Sequence, residues 1–414
     1  MSASKDFEII VFGATSFVGE ILCNYLCNEY TEPNLRWAMA ARSKAKLESL
    51  RAEIGPNAAS VPMLIADSDD EAALEALCAK TELIISTVGP YALFGEKLVA
   101  ACAQSGVDYC DLTGEPQWIR LMIERYQDAA RASGARIVNS CGFDSIPSDL
   151  GVKFLQEHAL AQFGEYCDTV KMRVHKMKGG ASGGTVASGL NVYREAAKDP
   201  ALRAELRDWY SLCPPGHSFT AKQSSVTAEY DEDFEAWAAP FIMASINTRI
   251  VLRSNALWPG NYAQDFRYDE AMLTGGGDKG RKAAKRVAGA MKWGMLAMAI
   301  APIRAVAQKF FLPKPGEGPT PEQQLSGYFD LRFVGTTPQG KKLKVRVTGD
   351  RDPGYGATAK MLAQAGISLR RDVDSSERGG GFWTSALAFN ERFVSRLQSH
   401  AGMTFEIMEQ DEQD

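Results

Sequence analysis

The chain has 414 residues, 45% of them apolar and 23% charged, with a formal net charge of −5. That length exceeds what one hydrophobic core fills, so two domains are expected, and the acidic balance argues against a general nucleic-acid binder, which carries a basic footprint. Eight cysteines (Cys23, Cys27, Cys78, Cys102, Cys110, Cys141, Cys167 and Cys213) form no Cys-x-x-Cys pair, and the four histidines do not cluster with them. This argues against a disulfide framework or a metal site and for a reducing compartment.

The first residues, Met1 to Glu8, are polar and hold no apolar leader core, so a cytoplasmic location is expected. Short apolar runs follow at Phe7–Phe12, Leu35–Ala40, Pro62–Ile65, Leu83–Thr87, Val107–Cys110 and Arg136–Asn139. Amphipathic stretches separate them, among them Lys44–Ile54, Glu71–Ala79, Glu96–Gln104 and Gln117–Ala132. Alternation at this spacing predicts an α/β fold, with βαβ units building a Rossmann-type, doubly wound parallel sheet over residues 1–150. After residue 150 a Gly/Ser-rich stretch, Gly179–Gly184, leads into a helical pattern from Thr185 to Ala197. Leu212–Asp233 is polar and irregular and is expected as a surface excursion, while Pro313–Pro321 reads as a linker or long turn. Phe329, Leu331 and Phe333 alternate with charged residues, as do Leu343, Val345 and Val347, which predicts an antiparallel pair with one wet face. A second, α+β domain with a partly antiparallel sheet is therefore expected over 151–350.

The sharpest motif lies directly after the first strand: Gly13, Ala14, Thr15, Ser16, Phe17, Val18, Gly19. In a strand-turn-helix of this kind the first glycine permits the reversal, and the last lets the helix approach the sheet. The helix start then offers N–H groups to a pyrophosphate. Ser16 stands where a glycine is usual, so its side chain must point away from the phosphates or bond to one. At the end of the second strand, Ala41-Arg42-Ser43 supplies no carboxylate for a ribose 2′-hydroxyl. Arg42 with Ser43 could hold a 2′-phosphate, a charge-assisted contact of roughly 1.5–3 kcal/mol, which predicts NADP(H). The alternative is that Arg42 and Lys44 only solvate the next helix. Thr87, Val88, Gly89 and Pro90, ending the fourth strand, are expected beside the ribose and nicotinamide halves. Asp111, Thr113 and Asp144 reach the same rim, either as helix caps or as substrate-facing groups.

Gly13–Gly19, Ala41–Ser43, Thr87–Tyr91 with Gly95, Tyr109–Glu115 and Gly142–Leu150 together resemble the saccharopine dehydrogenase-like oxidoreductases. More narrowly they resemble the branch containing trans-acting enoyl reductases of bacterial polyketide-lipid synthesis, and Gly179–Ser188, Asn247–Leu257 and Gly349–Ala359 agree in order. The resemblance implies an NADP-type Rossmann domain, an inserted domain that shapes the active site and often a homodimer contact, and a C-terminal segment, 351–414, returning to the first domain. It implies no assigned catalytic residue.

For an enoyl thioester, hydride goes to the β-carbon and a proton to the α-carbon, and Tyr91 and Asp144 are the candidate catalytic residues. An amino-acid imine instead needs arginines for its carboxylates, and Arg249 and Arg253 share a face if Ala244–Leu257 is helical. They could bind a substrate acid, a carrier's phosphate, or neighbouring protein groups. The segment Lys279–Lys314 holds nine Lys or Arg and no Asp or Glu, and Trp293–Ile303 carries no charge. That run is shorter than the about 20 residues a membrane span needs. It could be a core helix with basic ends, a peripheral membrane contact, or a dock for an acidic acyl carrier. Three readings stand: an NADPH-dependent reductase of a lipid- or carrier-linked enoyl chain, a saccharopine-type imine reductase, and an NADP-binding scaffold at lipid surfaces.

Overall fold

The computed structural model describes residues 5–180, 183–300 and 318–409. In the first domain β1 (Phe7–Phe12), α1 (Phe17–Asn28), β2 (Trp37–Ala41), α2 (Lys44–Ile54), β3 (Met63–Ile65), α3 (Glu71–Lys80) and β4 (Thr81–Ser86) follow in strict alternation. Then come α4 (Tyr91–Phe94), α5 (Glu96–Ser105), β5 (Asp108–Asp111), α6 (Pro116–Ser133) and β6 (Arg136–Val138). Helix starts are where capping chemistry puts them: Ser16, Ser43 and Asp70 each accept an amide of the following turn. Ile9 to Phe12 of β1 and Leu83 to Ile85 of β4 are buried on both faces, as the centre of a parallel sheet requires.

The first sheet runs β13-β6-β5-β4-β1-β2-β3 with every pair parallel. Its seventh strand, β13 (Gly381–Trp383), comes from the far end of the chain and pairs with β6. The helix Thr358–Arg371 lies against α1 and the strands β1, β4 and β5. A buried charge cluster clamps it there. Arg136 binds Asp108 and donates to the carbonyls of Leu369 (2.7 Å) and Val373 (2.8 Å), while Arg370 reaches Asp108 and Glu82 at 3.0 and 2.7 Å.

The helix α7 (Ile146–Phe163) leads into the second domain: β7 (Thr169–Lys178), α8 (Gly183–Lys198), α9 (Pro200–Glu205), β8 (Glu229–Asp231), β9 (Ala236–Pro240) and α10 (Ala244–Leu257). β10 (Arg267–Gly275), α11 (Gly277–Ala299), β11 (Tyr328–Thr336), β12 (Lys342–Gly349) and β14 (Met403–Ile407) complete it. The sheet order is β14-β12-β11-β7-β10-β9-β8, antiparallel except for β7 with β10. The segment after residue 350 is thus shared: Thr358–Arg371 and β13 join the first domain, and β14 joins the second sheet. α7 rests on β11 and β12, and its Gly151 faces the Phe333 ring, where a Cβ would lie 2.4 Å from Cζ.

The stretch 212–233 runs mostly exposed and irregular, as expected of a surface excursion, and a few of its residues pin it to the domain. Leu212 and Val226 are buried, and the buried Gln223 amide accepts Tyr268 N–H (3.1 Å) and donates to Phe266 C=O (2.9 Å), so it satisfies main chain of the neighbouring strand. Among the described residues no helix is long and apolar enough to cross a membrane. Residues 301–314 of the basic segment and 313–317 of the expected linker Pro313–Pro321 lie outside the described residues.

Candidate active site

The carboxyl ends of β1, β2, β4, β5 and β6 form one rim, and the glycine loop opens it. Gly13 has φ +87°, and a Cβ there would stand 2.6 Å from Val88 Cγ2 and 2.7 Å from Thr87 Oγ1. At Gly19 a Cβ would stand 2.2 Å from the Gly13 carbonyl, so α1 can cross the turn only with glycine there. Ser16 caps α1 by accepting Gly19 N–H (3.0 Å), and its hydroxyl bonds Thr87 Oγ1 (2.9 Å), which in turn donates to the Gly13 carbonyl (2.9 Å). The substituted middle position therefore turns inward and ties the loop to β4. Phe17 and Val18 stand ahead of the first intrahelical bond, where a helix presents free N–H groups. Arg42 is exposed at the end of β2 and, among the described residues, makes no ion pair. Ser43 caps α2 through Lys46 N–H (3.4 Å).

Above this loop three distant segments meet. A Cβ on Gly318 would press on the Phe17 ring, Phe17 packs edge-on against Tyr355 at 5.1 Å, and Asp352 accepts the amides of Gly180 (2.9 Å) and Tyr355 (2.8 Å). The Phe17 side of the glycine loop thus lies against Gly318 and Tyr355 of the later chain.

β4 continues through Thr87, Val88 and Gly89 into a cis Gly89–Pro90 peptide and α4. Tyr91 does not serve as the proton donor expected of it. Its side chain is buried against Trp118, the hydroxyl donates to the Ser86 carbonyl (2.9 Å) and receives Leu112 N–H (3.4 Å), and burial pushes its pKa well above the ordinary phenol value. Tyr91 builds the turn. Its amide and that of Ala92 both donate to the buried Glu115 carboxylate, at 2.9 and 3.0 Å, and Glu115 also bonds Ser188 of α8. Glu115 was not singled out from the sequence. Its place just before Pro116 marks only a helix start, and the amides it holds lie more than 20 residues upstream.

The acids of the rim divide by their donors. Asp111 accepts Thr113 N–H (3.1 Å), Ser140 N–H (3.0 Å) and Asn139 Nδ2 (2.8 Å), and Thr113 Oγ1 accepts Glu115 N–H (3.2 Å). Both therefore hold the β5 loop; burial still raises the Asp111 carboxyl to about 6. Asp144 is different. Its partly buried carboxyl lies beside Gly114 and Gly142, 3.6 and 2.9 Å from where their Cβ atoms would be, and takes no donor from another residue. Desolvation first, and the charge of Asp111 second, raise it to about 7. The loop that carries it is pinned from the far end of the chain: Thr358 Oγ1 accepts Phe143 N–H (2.9 Å) and donates to Pro353 C=O (2.8 Å). Asp144 can hold a proton near neutral pH.

Arg249 and Arg253 are on one face of α10, yet neither is available to a substrate acid. Arg249 donates to Ser211 Oγ (3.2 Å), to the Leu206 carbonyl (2.7 Å) and to the Ser245 carbonyl, and stacks over Trp209. Arg253 donates to Leu212 C=O (2.6 Å) and Phe382 C=O (2.9 Å). Both are buried, and burial draws each guanidinium down to about 10.

A family model described as the saccharopine dehydrogenase NADP binding domain matches residues 9–138. A candidate trans-acting enoyl reductase of Mycobacterium tuberculosis (strain ATCC 25618 / H37Rv) is 38% identical over 415 residues, covering 97% of each chain. The trans-acting enoyl reductase of Mycobacterium leprae (strain TN) is 35% identical over 409 residues, 95% of this chain and 96% of that one. Among solved structures, apo saccharopine dehydrogenase (L-Glu forming) of Saccharomyces cerevisiae superposes with a TM-score of 0.52 at 13% identity, covering 97% of this chain and 99% of that one. This last likeness is one of fold alone.

Proposed function

The chain belongs to the family of trans-acting enoyl reductases, and from that premise we propose that it reduces the C=C bond of a carrier-linked 2-enoyl thioester with NADPH. It is an NADP(H)-dependent oxidoreductase of the saccharopine dehydrogenase-like type. The glycine cradle that any Cβ would fill and the unpaired Arg42 fit the cofactor, with Gly13–Gly19 under the pyrophosphate, Arg42 and Ser43 at the 2′-phosphate, and Thr87–Pro90 along the inner ribose. NADPH, when bound, supplies the hydride for the β-carbon. The chain's own task is the proton. Asp144 holds it on a carboxyl oxygen and delivers it to the α-carbon, which leaves a saturated thioester, NADP⁺ and an ionised Asp144 that recovers a proton from water.

The observation that carries this reading against an amino-acid imine is the commitment of Arg249 and Arg253 to main-chain carbonyls. The free thiols, all eight of them, suit work in the cytoplasm. The test is NADPH consumption with a carrier-bound 2-enoyl thioester beside a saccharopine-type imine mixture. Turnover is expected on the thioester alone. Arg42→Ala should lower kcat/KM for NADPH by about 10- to 100-fold while leaving NADH unchanged. Turnover on the imine alone, or an equal loss with both cofactors, would defeat the assignment.

A further inference from the structure

The helix α11 packs on β9, β10 and α8 through its small and apolar residues: Gly280, Ala283, Ala284, Val287 and Ala288 point inward, with Ala284 fully buried. The turn before it is tight, because Thr274 Oγ1 donates to the Gly280 carbonyl at 3.0 Å and a Cβ on Gly280 would lie 1.9 Å from Gly275 O. The opposite face is cationic. Lys279, Lys282, Lys285, Arg286 and Lys292 are exposed and, among the described residues, none makes an ion pair, whereas Arg281 is paired with Asp278 at 3.0 Å. Six cations thus face one carboxylate in a helix of a chain whose net charge is −5. Trp293 ends the same outer stripe at 69% exposure.

We infer that this outer face of α11 is the docking surface for the acidic acyl carrier domain that presents the substrate, an inference that rests on the carrier-linked reading above. Three features select a carrier over an anionic membrane. A membrane-bound helix inserts its apolar side, and over Gly280–Ala288 that side is already occupied by the sheet. The stripe from Lys279 to Arg286 has no exposed apolar neighbour on its own turns, which suits carboxylates and a phosphodiester rather than acyl chains. The position also fits, because α8, against which α11 packs, carries Ser188, the residue bonded to Glu115 and close to Gly89 at the cofactor rim. A carrier held on α11 therefore stands beside the helix whose Ser188 reaches the cofactor rim. On an acidic molecule a local cationic stripe steers an acidic partner and is felt mainly in the association rate.

The test compares one 2-enoyl chain on a phosphopantetheinylated acidic acyl carrier protein with the same chain on a small soluble thioester, using NADPH-loaded wild type and Lys282→Glu/Lys285→Glu/Arg286→Glu. The variant should raise KM for the carrier-linked substrate by about tenfold or more, with kcat and the small-thioester kinetics unchanged. Raising salt should remove most of the difference. Equal effects on both substrates, or none, would overturn the docking surface. So would loss of binding to phosphatidylglycerol-containing vesicles in the variant with carrier kinetics untouched, which would give the stripe to a membrane. Turnover on neither thioester would defeat the enoyl reductase reading itself. Docking is then decided by calorimetric titration of the carrier into wild type and variant, where equal affinities overturn it.

Discussion

Asp111 and Asp144 lie on the same rim, and both carboxyls are raised by burial; only their hydrogen-bond donors separate them. Three donors fix Asp111 in place, and none from another residue reaches Asp144. With its pKa near 7, Asp144 is protonated on the acid side of neutrality. The proton step should therefore be fast below pH 7 and slow about tenfold per unit above it. Asp144→Asn should lower kcat by about 10²- to 10⁴-fold, leave NADPH affinity in place and abolish the alkaline limb of the kcat–pH profile. A variant that kept that limb would move the proton donor elsewhere. The glycine loop was legible in the sequence because its demands are local: a reversal, a close helix and a cap within seven residues. The choice between cap and catalyst at Asp144 was not, since it depends on which amides approach from other strands. The same holds for Tyr91, whose hydroxyl is taken by a carbonyl five residues back, and for Glu115.

The helices sit close to their sheets, and small residues set that distance. Gly151 on α7 faces the ring of Phe333, which is fully buried and cannot swing aside, so a methyl group 2.4 Å from Cζ forces the helix off the second sheet. Gly151→Ala should destabilise the protein by about 1–3 kcal/mol by overpacking, despite the better helix propensity of alanine. Denaturant unfolding should show a lower midpoint that Phe333→Leu partly restores, and an unchanged midpoint would refute the contact. The strands of the first domain were readable to within two or three residues because parallel, doubly buried strands are short unbroken apolar runs. β13 was not, because three residues carry no periodicity and its partner β6 lies some 240 residues earlier. The alternating pair β11 and β12 declared itself by its period of two, but its neighbours β7 and β14 could not be read from that period. The paired arginines of α10 showed their helical spacing and concealed their partners, which, apart from the Ser245 carbonyl on the same helix, come from segments whose approach no local pattern encodes.

At the scale of the whole molecule, buried carboxyls join the two domains. Asp149 at the start of α7 binds Ser254 Oγ (2.6 Å), Ser385 Oγ (3.0 Å) and Ala386 N–H (2.8 Å), and Glu270 on β10 binds Tyr268 Oη (2.7 Å) and Asn247 Nδ2 (2.9 Å). Asn247 in turn bonds Ser145, next to Asp144. Burial raises Asp149 to about 6 and Glu270 to about 7, alongside Asp111 at about 6. A carboxyl raised on folding binds more protons in the native state than in the unfolded chain. Its contribution is complete at acid pH and is lost as pH climbs from the unfolded value to the folded one. Each such group can remove up to about 1.4 kcal/mol per pH unit within its own interval. Glu8, Glu32 and Asp233, whose pKa values are lowered, are ionised in both states above pH 5 and add no slope there, while His175, lowered by desolvation, opposes the trend with a single proton. The urea midpoint should therefore be higher at pH 5.5 than at pH 8, and Glu270→Gln, which keeps an acceptor for Tyr268 but cannot ionise, should flatten the difference. A midpoint that rose with pH would mean that these groups enter the fold already charged. In that case the joint between the domains would rest on ion pairs rather than on shared protons, and Asp144, two bonds away from Glu270 through Ser145 and Asn247, would lose the neutral surroundings that keep its own proton in place.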